Sequence, residues 1–99
     1  MSEESPVVTV VQDARKPEYD IIVDGEVIGS THYEVERDGV HRYVHTEVDP
    51  AHGGKGYAGI LVRSALDAER EAGHHIIAQC PYVKKFVAEN PEYADLLAE

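Results

Sequence analysis

The stretch Asp49-Pro50-Ala51-His52-Gly53-Gly54-Lys55-Gly56-Tyr57-Ala58-Gly59 governs the arrangement of the rest of the chain. It joins a strand-like run, Val40 to Val48, to the longest helix-like run. In that run apolar residues recur at Tyr57, Ile60, Leu61, Ala65, Ala68 and Ala72, with Val62 and Leu66 widening the stripe. Glycines just before the first apolar positions of a helix let the backbone turn tightly and bring free N–H groups close to a ligand. The helix dipole adds partial positive charge at the same place. The segment is therefore an anion cradle, with phosphate or pyrophosphate as its natural guest.

Upstream, Val7 to Asp13 is valine-rich and extended, and Asp13-Ala14-Arg15-Lys16-Pro17 ends it. Tyr19 to Val23 forms a second strand. Asp24-Gly25 suits a hairpin turn with positive φ at both central residues, and it leads into a third strand that runs to about Val35. A second Asp-Gly, at Asp38-Gly39, turns the chain into the fourth strand, so the second to fourth strands form an antiparallel meander. Downstream, Gly73 ends the long helix as a C′ residue. His74 to Cys80 holds the short apolar strand Ile76-Ile77-Ala78. A strand–helix–strand passage of this length favours a right-handed parallel crossover beside the fourth strand. Pro81 closes that strand, Val83 to Glu89 makes a short helix, and Asn90-Pro91 breaks it before a further turn from Pro91 to Leu97. The expected architecture is one α/β (α+β) domain over residues 1–99, with a mixed, mainly antiparallel sheet in the order β-β-β-β-α-β-α. Residues 1–6 are expected to fray.

The bulk composition narrows the function. Ninety-nine residues support one modest core, so fold and site share one sheet. A net charge of −10 and a pI near 4.9 argue against general binding to nucleic acid or anionic membranes, which reward clustered Lys and Arg. The apolar runs fall short of a membrane span and the start is acidic, so a cytoplasmic protein is expected. The single cysteine, Cys80, fits a reducing compartment and serves either packing or chemistry. The histidines lack the close helical pairing beside a carboxylate that a zinc site favours. No metal site is expected, and His74-His75 suits the helix C-terminus.

Gly54-Lys55-Gly56-Tyr57-Ala58-Gly59 also matches the dinucleotide pattern G-x-G-x-x-G. A dinucleotide fold, however, needs several parallel strands and an acidic residue ending the next one. Here the preceding strands are hairpin-linked and the next ends in Cys80-Pro81. A plain glycine-rich turn is the other alternative, and it accounts for one glycine better than four. In the fourth strand, period-2 alternation puts Arg42, Val44, Thr46 and Val48 on one face and His41, Tyr43, His45 and Glu47 on the other.

Val48-Asp49-Pro50 followed by Gly54-Lys55-Gly56-Tyr57-Ala58-Gly59-Ile60-Leu61 resembles the acetyl-coenzyme A segment of the GNAT (N-acetyltransferase) superfamily, whose core is Q/R-x-x-G-x-G/A between a strand and a helix. Cys80-Pro81-Tyr82-Val83-Lys84-Lys85-Phe86, Asn90-Pro91-Glu92-Tyr93 and His45-Thr46-Glu47-Val48 resemble a minimal, single-domain subgroup of it. The resemblance covers roughly residues 19 to 97. It implies acetyl-coenzyme A as acyl donor, held by Val48, Gly53, Gly54, Lys55, Gly56, Tyr57 and Ala58, with Lys84 and Lys85 toward its phosphate end. The family's Arg or Gln falls on Gly53 here, which removes a supporting side chain and weakens the expected affinity unless His52 or Lys55 compensates.

The resemblance further implies a thioester carbonyl near the fourth strand, polarised by a backbone N–H, and direct attack by a neutral amine. A lysine-like amine has a pKa of about 10.4, so a base must take its proton. His41, His45 and Glu47 are the candidates, with His45 best matched to neutral pH. Cys80 offers another route, accepting the acetyl group before passing it on. The expected activity is acetyl transfer to an amine, and the acidic surface favours a cationic small molecule or protein tail as acceptor. The alternatives are a non-catalytic coenzyme A or acyl-coenzyme A binding module and a plain interaction domain. The acceptor's identity and the oligomeric state are not legible at this level.

Overall fold

The computed structural model describes residues 6–98; the expected frayed start, residues 1–6, lies outside that range apart from Pro6. Five strands form one sheet in sequence order: β1 (Val8–Gln12), β2 (Glu18–Val23), β3 (Glu26–Arg37), β4 (Val40–Val48) and β5 (His75–Ala78). The first four pair antiparallel and β5 pairs parallel to β4. Helix α1 (Tyr57–Glu71) makes the crossover, and α2 (Pro81–Glu89) follows β5. Short 3-10 turns at Pro50–His52 and Pro91–Leu96 complete the chain. The order is the one expected from the sequence, except that α2 begins at Pro81, two residues early, with Pro at its first position as φ near −65° allows.

The two Asp-Gly turns differ. Asp24 and Gly25 both have positive φ, 50° and 86°, as a tight hairpin requires. At the second turn only Gly39 does, at 79°, and the ladder next to it shifts register between Val35 and Arg37. Gly73, at φ 75°, ends α1 in the left-handed conformation that a side chain resists.

Helices α1 and α2 and the final turn cover one face of the sheet, and their buried residues form a single cluster with it. Leu61, Val62, Ala65 and Leu66 of α1 meet Ile21, Tyr33 and Tyr43 of the sheet, and Val83, Phe86 and Val87 of α2 extend the cluster. Each large aliphatic side chain removed from water contributes roughly 1.5–3 kcal/mol. The α1 stripe departs from the expected one in two places: Ile60 is 41% exposed, and Glu69 is buried at 1%.

β4 corrects the expected face assignment. His32 pairs with His45 and Tyr33 with Tyr43, which leaves Val44 as an extra residue without a partner on β3. A bulge of this kind breaks period-2 alternation. His41 and Tyr43 therefore lie under α1 together with Thr46, whereas His45 and Glu47 lie on the opposite face. Across that second face run Glu18, Asp20, Ser30, His32, His45 and Glu47, and no helix among the described residues covers it.

Candidate functional site

The glycine loop enters α1 as an open cradle. Gly54 and Gly56 hold φ of 77° and 80°, and a β-carbon at either would meet nothing within 4 Å. Gly56 caps α1 in the left-handed conformation. Among the described residues no side chain bonds the first-turn N–H groups, and no acidic residue of that turn competes for them. Upstream, Asp49 accepts from Ala51 N at 2.9 Å and shapes the 3-10 turn. Tyr57 contributes its backbone alone, since its ring is buried in the core with His52 packed 6.2 Å away. Gly53 has φ −68°, which any residue adopts, so its missing side chain is not a requirement of the turn. Free N–H groups at a helix start, an unobstructed concave backbone and the helix dipole suit a pyrophosphate.

Next to the cradle the sheet opens. β5 pairs with β4 only from Val40↔His75 to Tyr43↔Ala78. Gln79 N and Cys80 N then both donate to the Tyr43 carbonyl, at 3.1 and 2.7 Å, and the chain turns into α2 with Cys80 as its N-cap. From Val44 to Val48, β4 has no strand on that side among the described residues. Cys80 is buried at the apex of the gap, and its Sγ lies 3.4 Å from Thr46 Oγ1. Tyr82, in the first turn of α2, brings its hydroxyl to within 3.6 Å of where a β-carbon on Gly59 would sit, so α2 and α1 flank the same opening.

On the uncovered face lies a chain of carboxylates and imidazoles. His45 Nε2 is 3.1 Å from Glu47 Oε1, Glu47 Oε2 is 3.9 Å from His32 Nε2, and His32 Nδ1 is 3.1 Å from Glu18 Oε1. Asp20 accepts from Ser30 Oγ at 2.7 Å beside them. The Glu18 carboxyl is raised above the ordinary range, first by a hydrogen bond with Asp20 and then by burial, with the Asp20 charge adding to both. Where β3 begins and β4 ends, a groove of about 470 Å³, lined by Ile28, Gly29, Ser30, Glu47, Val48 and Pro50, adjoins this network. His45 and Glu47 thus stand together as the sequence suggested. His41 does not join them. It is buried beneath α1, with Nδ1 2.8 Å from Glu69 Oε2 and its ring stacked on Tyr33 at 4.3 Å, so it is withdrawn from the set of candidate bases.

The proposed phosphate lysines are dispersed. Lys55 is exposed in the loop, and Lys84 and Lys85 are exposed on α2. Lys84 lines a groove with Ile76, Ala78 and Leu97, which puts it on the β5 side of α2. His32 and Glu69 were missed in the sequence. His32 sits in a strand whose alternation alone marks it as half-buried, and Glu69 interrupts an apolar helix stripe, a signal that was there to be read.

A family model described as GCN5-related N-acetyl-transferase matches residues 18–96. The solution structure of a GCN5-like protein from Staphylococcus aureus superposes with a TM-score of 0.70 at 22% identity, covering 90% of this chain and 86% of the other. No curated protein matches the chain at a significant level. No helix among the described residues is long and apolar enough to cross a membrane.

Proposed function

The chain belongs to the GCN5-related N-acetyltransferase family, and on that premise we propose that it binds acetyl-coenzyme A at the glycine loop and transfers the acetyl group to a cationic amine approaching from the uncovered sheet face. The observation that carries this reading is the adjacency of an uncapped helix start, at Gly56, to a sheet that opens beside Val44–Val48. The backbone N–H groups of residues 53–58 would hold the pyrophosphate, and Val48 and the free side of β4 would line the arm that follows it. Bound acetyl-coenzyme A supplies the activated acyl group as a thioester.

The residues of this chain do the rest. α1 and α2 wall off one side of the gap, so an acceptor reaches it from the face that carries Glu18, Asp20, His32, His45 and Glu47. Carboxylates there attract an ammonium group. His45, oriented by Glu47, takes the proton that the amine must lose before it attacks, and Glu47 and His32 connect that base to the buried Glu18. The Val44 bulge turns the strand backbone at the point where a carbonyl would need an N–H donor. In the alternative route the Cys80 sulfur accepts the acetyl group, its proton leaving with the released thiol. The absent side chain at Gly53 favours a second reading, a coenzyme A binding module without turnover.

Amide shifts in an NMR titration with coenzyme A test the binding site, and silence at residues 53–58 at millimolar ligand would sink it. Intact mass after incubation with acetyl-coenzyme A separates the two routes: an adduct lost in Cys80→Ala supports the cysteine relay, and one that survives places the chemistry elsewhere.

A further inference from the structure

At the end of the sheet far from the glycine loop, three elements converge on one point. Glu69 of α1, His41 of β4 and His74 of the α1–β5 connection bring one ligand atom each to within 4.8 Å of one another. His41 Nδ1 lies 2.8 Å from Glu69 Oε2 and His74 Nδ1 lies 2.9 Å from Oε1. The two imidazole rings meet edge to face at 4.8 Å. The Tyr43 hydroxyl donates to Oε2 at 2.6 Å.

We propose that His41, Glu69 and His74 form a binding site for a divalent transition metal, zinc being the best match, outside the site that would hold coenzyme A. Two imidazoles and one carboxylate are a recognised zinc ligand set. A tetrahedral ion about 2.0–2.2 Å from each donor sets neighbouring donors about 3.4 Å apart, so the 2.8 and 2.9 Å separations seen here open by about half an ångström as the metal replaces the imidazole–carboxylate hydrogen bonds. Charge points the same way. Glu69 is 1% exposed, and a buried carboxylate is costly unless a cation balances it. The arginines of α1 bond elsewhere, Arg63 to Tyr93 and Asn90 and Arg70 to Asp95. Among the described residues, the basic side chains that bond to Glu69 are His41 and His74. A metal dication would supply that balance.

The surroundings suit a metal as well. The Tyr43 bond to Oε2 orients the carboxylate, as outer-shell partners of metal ligands do. Stacking on Tyr33, with 13° between the ring planes, holds the His41 ring in place. The His74 side chain is 32% exposed and provides the way in from solvent.

Tag-free protein stripped with chelator and titrated with zinc by calorimetry tests the site, with the visible absorption of a cobalt(II) substitute as a second readout. One equivalent is expected to bind, with a rise in thermal midpoint, and ring ¹⁵N shifts at His41 and His74 alone. His74→Ala and Glu69→Gln should weaken binding by about a hundredfold or more and Tyr43→Phe by about tenfold, whereas His75→Ala leaves it unchanged. Zinc uptake absent at 100 µM metal (about 10⁻⁴ M, weak for a built site) would overturn the proposal, as would uptake that His74→Ala does not reduce. If Glu69→Gln fails to fold, the half-exposed His74 position decides the matter. Coenzyme A titration of the same variants is independent of this outcome.

Discussion

Cys80 and Thr46 meet across the gap where β5 leaves the sheet: the Cys80 thiol donates to the Thr46 hydroxyl at 3.4 Å, and Thr46 shares a 2.8 Å hydrogen bond with Thr31. This short polar chain runs through an apolar layer, because Thr31 is fully buried. Thr46→Val keeps the shape and removes the shared partner. The Thr31 hydroxyl is then left unbonded, and stability should fall by about 1–3 kcal/mol. Urea denaturation measures it, and a loss below the scatter of replicate melts would show that water replaces the bond.

The two glycines that flank Lys55 should respond differently from Gly53. Gly56→Ala forces a β-carbon into φ 80°, and the left-handed conformation costs about 1–2 kcal/mol for a non-glycine residue. Reduced stability and weaker coenzyme A binding are expected together. Gly53→Arg meets no such strain at φ −68°. A β-carbon there comes within 3.3 Å of the Pro50 carbonyl, so the turn needs to give by a few tenths of an ångström. Restoring the family's side chain should tighten coenzyme A binding, by about tenfold for one charge-assisted bond of roughly 1.5 kcal/mol. Calorimetry that finds equal affinity would show that His52 or Lys55 already does this work.

Gly29 makes a different demand. Its φ is unremarkable, but a β-carbon would stand 2.7 Å from the Glu47 carbonyl and 3.2 Å from Ile21. Gly29→Ala should destabilise by about 1–3 kcal/mol, as overpacking does. It should also displace Glu47, which a changed NMR shift at His45 would report.

The raised Glu18 carboxyl links stability to pH. The folded state holds this proton more tightly than the unfolded chain. The contribution is fully present below the unfolded value of about 4.3 and is lost as pH rises through the folded pKa. Glu18→Gln keeps the hydrogen bond with Asp20 and cannot ionise. The variant should gain stability relative to the parent as pH goes from 4 to 7. Parallel urea midpoints for the two proteins across that range would contradict the assignment.

The sequence revealed those parts of the fold whose cause is local. Asp24-Gly25 adopts positive φ because its residues tolerate it, and Gly73 stops α1 for the same reason. The cradle was equally plain, since glycines before an apolar helix stripe act within a few residues. What was hidden depends on partners far along the chain. Val44 becomes a bulge only through the register that β3 imposes, so strict alternation grouped Tyr43 with His45 although they face opposite ways. Glu69 finds His41 across 28 residues, and His32 finds Glu18 through strand pairing. Periodicity marks Glu69 as a polar residue in an apolar stripe, but the partners that complete such a network are tertiary and spacing does not report them.

The uncovered face of the sheet has a consequence for scale. Enclosed pockets select by volume, and a guest too large for the walls is turned away. On the function proposed above, an open face whose exposed carboxylates are Glu34 and Glu47 sets no such ceiling. An exposed lysine on a protein far bigger than this chain could lie against it as easily as a free diamine. For an acceptor of the proposed kind, discrimination would then rest on local charge and on how far the amine protrudes from its own scaffold.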